Sequence, residues 1–176
     1  MKYIYSILIL FTVMNCKKSS FVNSNINLFE FDTVIHYSKN ITGDSISYIY
    51  NKEKSDPKYK LYRKIFESEY PKKLSEKSIE KELVEFGYIA NVLSQTQKKD
   101  INFLFSKYVN DEYIFQGCIP VYRDILIFKK NEEVIGIAKI CFDCKMLYIV
   151  GSNKKYSNLV DFSEFKKLND LLKKEN

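Results

Sequence analysis

The chain contains no tryptophan, and glycine, proline and histidine are scarce: five glycines, three prolines and one histidine in 176 residues. So few glycines and prolines exclude the collagen-like and low-complexity classes. With this composition the sequence contains no glycine-rich phosphate loop, nucleophile elbow or H-E-x-x-H metalloprotease motif. We therefore predict no catalytic residue from a known motif.

Arginine is scarce as well. Of the 28 basic residues only Arg63 and Arg123 are arginines, and acidic residues are interspersed with the lysines along the chain. Arginine is the side chain that recognises phosphate and guanine with two parallel hydrogen bonds. The net charge of +6, without a block of five consecutive basic residues, indicates a solvated lysine surface, and we expect no nucleic-acid partner.

The composition is otherwise that of a globular protein, with 45% apolar and 28% charged residues, and the length suits one core-bearing domain. At the N-terminus, Met1 and Lys2 precede an uncharged, mostly apolar run, Tyr3–Met14. In a helix this run would be about 18 Å long, well short of the roughly 30 Å of a bilayer core. It is typical of a signal peptide and not of a membrane span.

The segment Val13-Met14-Asn15-Cys16 resembles the lipobox of bacterial lipoproteins, in which the cysteine receives a diacylglycerol and cleavage occurs before it. The resemblance implies a signal peptide over residues 1–15, lipidation of Cys16, and contact with the membrane of the bacterial cell envelope through the lipid. The alternative is ordinary signal-peptide cleavage near an incidental cysteine. Residues 16–26 are rich in Ser and Asn and predict a flexible tether, with one domain over residues 27–176.

Residue periodicity predicts the elements of that domain. Alternating apolar residues favour a first strand over Leu28–Tyr37 and a second over Ile46–Tyr50, joined as a hairpin, and a short strand over Lys58–Phe66. An apolar stripe predicts a helix over Ser75–Leu93, and the run Ile101–Val109 is too short to assign. A C-terminal helix begins at Asp161, with Glu164 completing a capping box.

The strongest strand patterns lie in the second half of the chain, where Ile, Val, Tyr and Phe are concentrated. Strands are predicted over Glu112–Phe115, Val121–Lys129, Val134–Phe142 and Met146–Val150, with a turn at residues 130–133. The fold class predicted from the whole pattern is α+β: a single domain with an antiparallel sheet covered on one face by two helices.

Apart from Cys16 the chain has three cysteines, Cys118, Cys141 and Cys144, the last two in a C-x-x-C spacing. If Lys129 pairs with Val134, the hairpin carries Cys118 beside Cys144. One interpretation is a structural disulfide, Cys118–Cys144 or Cys118–Cys141, contributing about 3 kcal/mol. A second is a structural zinc site in which His36 joins the three thiolates.

A third interpretation is a redox-active C-x-x-C. Reactive pairs sit at a helix N-terminus, whereas Cys144 is followed by a strand pattern, which disfavours it. Covalent haem attachment requires histidine directly after the second cysteine, and Lys145 stands there. We expect no cofactor other than this alternative zinc ion. Glu30, Asp32 and His36 share a predicted strand face, which we interpret as a solvent face in preference to a metal or acid–base cluster.

The cysteines lie in a longer pattern over residues 118–144, C-I-P-x-Y-R-D followed by I-C-F-D-C. It resembles a family of small uncharacterised bacterial lipoproteins, which implies envelope localisation and a role for the three cysteines but no activity. The sequence thus predicts a lipid-anchored binding or structural module with a cysteine-stapled sheet and an unidentified protein or small-molecule partner. The alternative is a zinc-binding protein, or a thiol- or metal-dependent enzyme, using Cys118, Cys141, Cys144 and His36.

Overall fold

The computed structural model describes residues 29–75, 79–106, 117–151 and 162–173. The signal peptide and tether predicted over residues 1–26, including Cys16, lie outside these ranges. The same holds for the strand predicted over Glu112–Phe115 and for the cap at Asp161.

The described chain is built on one five-stranded antiparallel sheet in the order β2-β1-β3-β4-β5. The strands are β1 (Thr33–Ser38), β2 (Ile89–Val92), β3 (Asp124–Lys130), β4 (Glu133–Cys141) and β5 (Met146–Val150). Asn131 and Glu132 connect β3 to β4 with φ of 49° and 66°, a turn whose twist matches that of the flanking strands. The predicted strands at β3, β4 and β5 and the turn between β3 and β4 are confirmed.

Within the described ranges five helices pack on the sheet: α1 (Gly43–Lys52), α2 (Pro57–Glu67), α3 (Ile79–Glu85), α4 (Gln95–Ser106) and α5 (Phe162–Leu172). The helices α4 and α5 cover one face, against side chains such as Val34, Leu126 and Ile140. The helices α1, α2 and α3 cover the other, against Ile125, Ile127 and Ile137. The antiparallel sheet with packed helices confirms the α+β class, and the helices cover both faces.

The strands predicted over Ile46–Tyr50 and Lys58–Phe66 are wrong, because both segments are helical. Thr42 caps α1 by accepting a hydrogen bond from the amide of Ser45 at 3.3 Å. Asp56 caps α2 in the same way through the amide of Lys58, with Pro57 at the first helical position. These two caps set the helix starts, and burial of one side of each helix outweighs the alternating pattern.

The helix predicted over Ser75–Leu93 is confirmed over Ile79–Glu85 and is wrong for the residues after Glu85. The helix α3 ends at Glu85, and the chain reverses through Gly87, whose φ is 77°. The amide of Gly87 bonds to the carbonyl of Val84, and the amide of Tyr88 to that of Leu83, which is the hydrogen-bond pattern of a Schellman motif. Ile89–Val92 form β2, and residues 101–106 of the unassigned run lie in α4.

Candidate functional site

The three cysteines of the domain meet at one end of the sheet, where β4 turns into β5. Cys141 is the last residue of β4 and pairs with Met146 of β5. Residues 142–145 form the turn, with Lys145 in the left-handed conformation at φ 52°. The turn brings Cys144 back over Cys141, so that the amide of Cys144 donates to the Cys141 Sγ at 3.4 Å.

Cys118 is joined to Cys144 in a disulfide, with 5.9 Å between the Cα atoms and a sequence separation of 26. Cys118 belongs to the segment without regular secondary structure that precedes β3. This is one of the two connectivities expected from the hairpin. The bond ties the segment before β3 to the turn after β4. The strands β3 and β4 are neighbours in the sheet.

Cys141 is the free cysteine of the described residues, and it is buried. Its Sγ accepts hydrogen bonds from two backbone amides, those of Val121 and Cys144, both at 3.4 Å. It packs with Tyr122 and Cys144 in a small apolar cluster. This thiol is held by backbone donors and shielded by its neighbours, whereas Cys118 lies exposed at the surface.

The side chain of Arg123 binds to the β4–β5 turn. Its Nη1 donates to the carboxylate of Asp143 at 2.6 Å, and its Nε donates to the carbonyl of Ile41 at 2.8 Å. Asp124, the next residue, instead bonds to His36.

His36 lies in β1, where its Nε2 is 2.8 Å from the Oδ1 of Asp124. It is buried, so the solvent face predicted for it is wrong: β1 is an inner strand, and α4 and α5 cover that side. Of the other two residues of that predicted face, Glu30 pairs with Lys130 at 2.9 Å and Asp32 accepts from the amide of Asn131 at 2.7 Å.

The zinc interpretation required His36 and three free thiolates. Within residues 29–75, 79–106, 117–151 and 162–173, the structure contains no group of three or more His, Cys, Asp or Glu side chains placed to hold a metal ion. Cys118 and Cys144 are bonded to each other, and His36 is bonded to Asp124. The cysteines come together as predicted, but His36 does not join them as a fourth ligand.

Sequence reasoning missed Lys139, which lies in β4 with its side chain fully buried. Its Nζ donates to the carbonyl oxygens of Ser68 at 2.5 Å and Tyr70 at 2.9 Å, and lies 4.4 Å from the centre of the Tyr122 ring. Burial lowers the pKa of Lys139 well below its usual value, and nearby Glu69 opposes part of this shift. The one sequence signal was a lysine within an otherwise apolar strand.

The chemistry open to the three cysteines is limited. The disulfide removes the nucleophilic thiolates of Cys118 and Cys144, and burial shields the thiol of Cys141. These contacts hold three parts of the chain together around Tyr122 and Lys139. They are the segment before β3, the β4–β5 turn and the loop at Ser68–Tyr70. The site is therefore a cross-linked end of the sheet.

No family model matches the chain, and neither the curated proteins nor the solved structures contain a match. No helix within the described ranges is long and apolar enough to cross a membrane.

Proposed function

We propose that this protein is a lipid-anchored protein of the bacterial cell envelope whose disulfide-stapled α+β domain serves as a binding or structural module. The observation that carries the proposal is the Cys118–Cys144 disulfide, which joins neighbouring parts of the fold across a separation of 26 residues. Disulfides of this structural kind persist in oxidising compartments outside the cytosol.

The N-terminal sequence supports the same location. An apolar run too short to span a bilayer ends just before Cys16, in a segment that resembles a lipobox. Lipid on the thiol and on the new N-terminus at Cys16 would hold the chain on a membrane, since each buried methylene contributes about 0.8 kcal/mol. The domain predicted over residues 27–176 follows this anchor after the tether predicted over residues 16–26.

The anchor is tested by expressing the full chain in bacteria grown with an alkyne fatty acid. The protein should become labelled and fractionate with membranes. Cys16→Ser should abolish labelling and release the protein, whereas the matched variant Cys141→Ser should remain labelled. Labelling that survives Cys16→Ser would contradict the proposed anchor.

The state of the cysteines is tested by the intact mass of the purified chain. Alkylation under denaturing conditions without reductant should modify Cys141 alone, because Cys16 carries lipid and the other two form a disulfide. Reduction should expose two more thiols. Three alkylatable thiols before reduction, with a zinc-sized mass lost on denaturation, would instead favour the zinc-binding alternative.

A further inference from the structure

A free thiol, that of Cys141, and the Cys118–Cys144 disulfide lie together at the cross-linked end of the sheet. Cys141 and Cys144 are both buried and pack in one cluster with Tyr122. Thiol–disulfide exchange requires a thiolate that can reach a disulfide sulfur, and it needs no oxidant or reductant. The three cysteines therefore supply both reactants of an exchange reaction within the protein.

The surroundings of the Cys141 sulfur suit the attacking group of such a reaction. Its Sγ accepts hydrogen bonds from the amides of Val121 and Cys144, each at 3.4 Å. N–H groups that converge on one atom stabilise negative charge there. In reactive C-x-x-C pairs a helix N-terminus supplies this stabilisation. Here the segment before β3 and the β4–β5 turn supply the donors, although a strand follows Cys144.

Burial decides what the Cys141 thiol can attack. Cys141 is 1% exposed, so a dissolved reagent does not reach its sulfur in the folded protein. Cys144, three residues further on, packs against it, and the Sγ of Cys144 is one half of the disulfide. The disulfide within reach of Cys141 is therefore the one inside the domain.

The exposure of the two bonded cysteines decides which of them is released. Attack on the Sγ of Cys144 releases Cys118, which is exposed, so water solvates the charge of the leaving thiolate. Attack on the Sγ of Cys118 would release Cys144, which is 4% exposed, and would leave a charge buried. The favoured exchange breaks the Cys118–Cys144 bond and forms a Cys141–Cys144 bond.

We propose that Cys118 is a modification site that this exchange uncovers, and that it forms a mixed disulfide with a low-molecular-weight disulfide from solution. In the first step the Cys141 thiol loses its proton to solvent, its sulfur bonds to that of Cys144, and the electron pair of the broken bond leaves with Cys118. In the second step the Cys118 thiolate attacks the external disulfide and releases one half of it as a thiolate, which takes a proton from solvent. The number of disulfides is unchanged in each step.

This inference rests on the disulfide of the proposed module and not on the lipid anchor. Its test uses the full chain, purified in detergent without reductant, and oxidised glutathione as the external disulfide. After incubation at pH 8, peptide mass mapping should find glutathione on Cys118 and a disulfide between Cys141 and Cys144.

The decisive variant is Cys141→Ser, which keeps the Cys118–Cys144 disulfide but has no internal thiol that can displace Cys118. Wild type should acquire glutathione at Cys118 at least about tenfold faster than this variant. Cys141→Ala should behave in the same way and replaces Cys141→Ser if that variant does not fold. The matched control is Asp143→Asn, at an exposed carboxylate of the same turn, which keeps all three sulfurs and should change the rate by less than about threefold.

Three results would overturn the inference: no glutathione on wild type, glutathione on Cys141, or equal rates at Cys118 in wild type and Cys141→Ser. Any of these, with Cys141 still the residue alkylated under denaturing conditions, leaves the disulfide-stapled module standing. Alkylation of all three cysteines without reductant would instead remove the disulfide and, with it, both proposals.

Discussion

The Nζ of Lys139 lies 2.9 Å from the carbonyl oxygen of Tyr70, although the two residues are 69 positions apart. The same nitrogen bonds to the carbonyl of Ser68, and Tyr148 of the neighbouring strand donates its hydroxyl to the carbonyl of Pro71 at 2.9 Å. A loop without regular structure is thus fixed to the sheet through its backbone oxygens. The buried lysine supplies two of these contacts.

Replacing this lysine should change how stability depends on pH. In the folded protein burial holds the pKa of Lys139 well below its usual value, while in the unfolded chain it is about 10.4. At pH values between these two pKa values, the unfolded chain binds more protons than the folded protein, so stability rises with pH. The contribution of Lys139 to stability is therefore greatest above about pH 10.4 and is lost as pH falls through the folded pKa. The advantage of wild type over Lys139→Met should therefore grow from neutral pH toward about pH 10.

Urea unfolding of both proteins at several pH values checks this slope. The matched control is Lys130→Met, at a half-exposed lysine that pairs with exposed Glu30. It should change the free energy of unfolding by less than about 0.5 kcal/mol at every pH. Parallel pH curves for wild type and Lys139→Met would contradict the expected linkage.

Tyr62 offers a second prediction, on a buried hydroxyl. This oxygen has no hydrogen-bond partner among the described residues, and burial raises the pKa of Tyr62 to about 12. Tyr62→Phe keeps the ring stacked on Phe86, so we expect the free energy of unfolding to stay constant or rise by up to about 2 kcal/mol. Tyr88→Phe, which removes a hydroxyl that donates to the carbonyl of Tyr122, should lower it by about 1 kcal/mol.

The sign of the pH effect at Tyr62 is opposite to that at Lys139. With a folded pKa above the unfolded value of about 10, the contribution of Tyr62 is fully present below pH 10 and is lost as pH rises through 10 toward 12. Tyr62→Phe should therefore lose less stability than wild type over that alkaline window. Urea unfolding at successive pH values measures the free energy of unfolding of both proteins. A steeper alkaline loss of stability in Tyr62→Phe than in wild type would contradict this prediction.

The sheet was predictable where composition and turn signals agree. β3, β4 and β5 are rich in Ile, with Val and Leu, and the polar turn between β3 and β4 separates the first two. The segment of α1 was mistaken for a strand because Ile46, Tyr48 and Tyr50 alternate, while Ile46 and Tyr50 also lie four apart, as on one side of a helix. The N-caps at Thr42 and Asp56 are the local signals that identify both segments as helices.

The cysteine site was predictable only in part. Pairing Lys129 with Val134 is correct, but a bulge next to it shifts the remaining register by one residue, and Cys118 lies before β3 in a segment without regular secondary structure. The approach of Cys118 to Cys144 survives this shift. Lys139 could not be identified as part of the site, because its hydrogen-bond partners are backbone carbonyls, which leave no trace in sequence.

Gly136 provides a third prediction, on packing. A Cβ added there would lie 2.5 Å from two ring carbons of Phe29, a buried side chain that packs on Phe128 with ring centres 4.8 Å apart. Gly136→Ala must displace that ring and should lower the free energy of unfolding by about 1–3 kcal/mol. Thermal and urea unfolding measure the loss.

The matched control is Gly43→Ala, at the start of α1, where an added Cβ would meet nothing within 4 Å. This change should be neutral or stabilise the protein by up to about 1 kcal/mol, because alanine favours the helix. Equal effects of the two substitutions would show that the Phe29 ring does not restrict the space at Gly136.

The disulfide gives the last prediction, on redox dependence. Closing a loop with a separation of 26 residues constrains the unfolded chain, so Cys118→Ser should lower the free energy of unfolding by about 3 kcal/mol. Dithiothreitol should destabilise wild type by a similar amount and leave Cys118→Ser unchanged. Cys141→Ser is the matched control: it removes the thiol that accepts the amides of Val121 and Cys144 but keeps the disulfide, so its stability should still fall on reduction. A Cys141→Ser variant indifferent to dithiothreitol would mean that Cys141, and not Cys144, forms the stabilising bond.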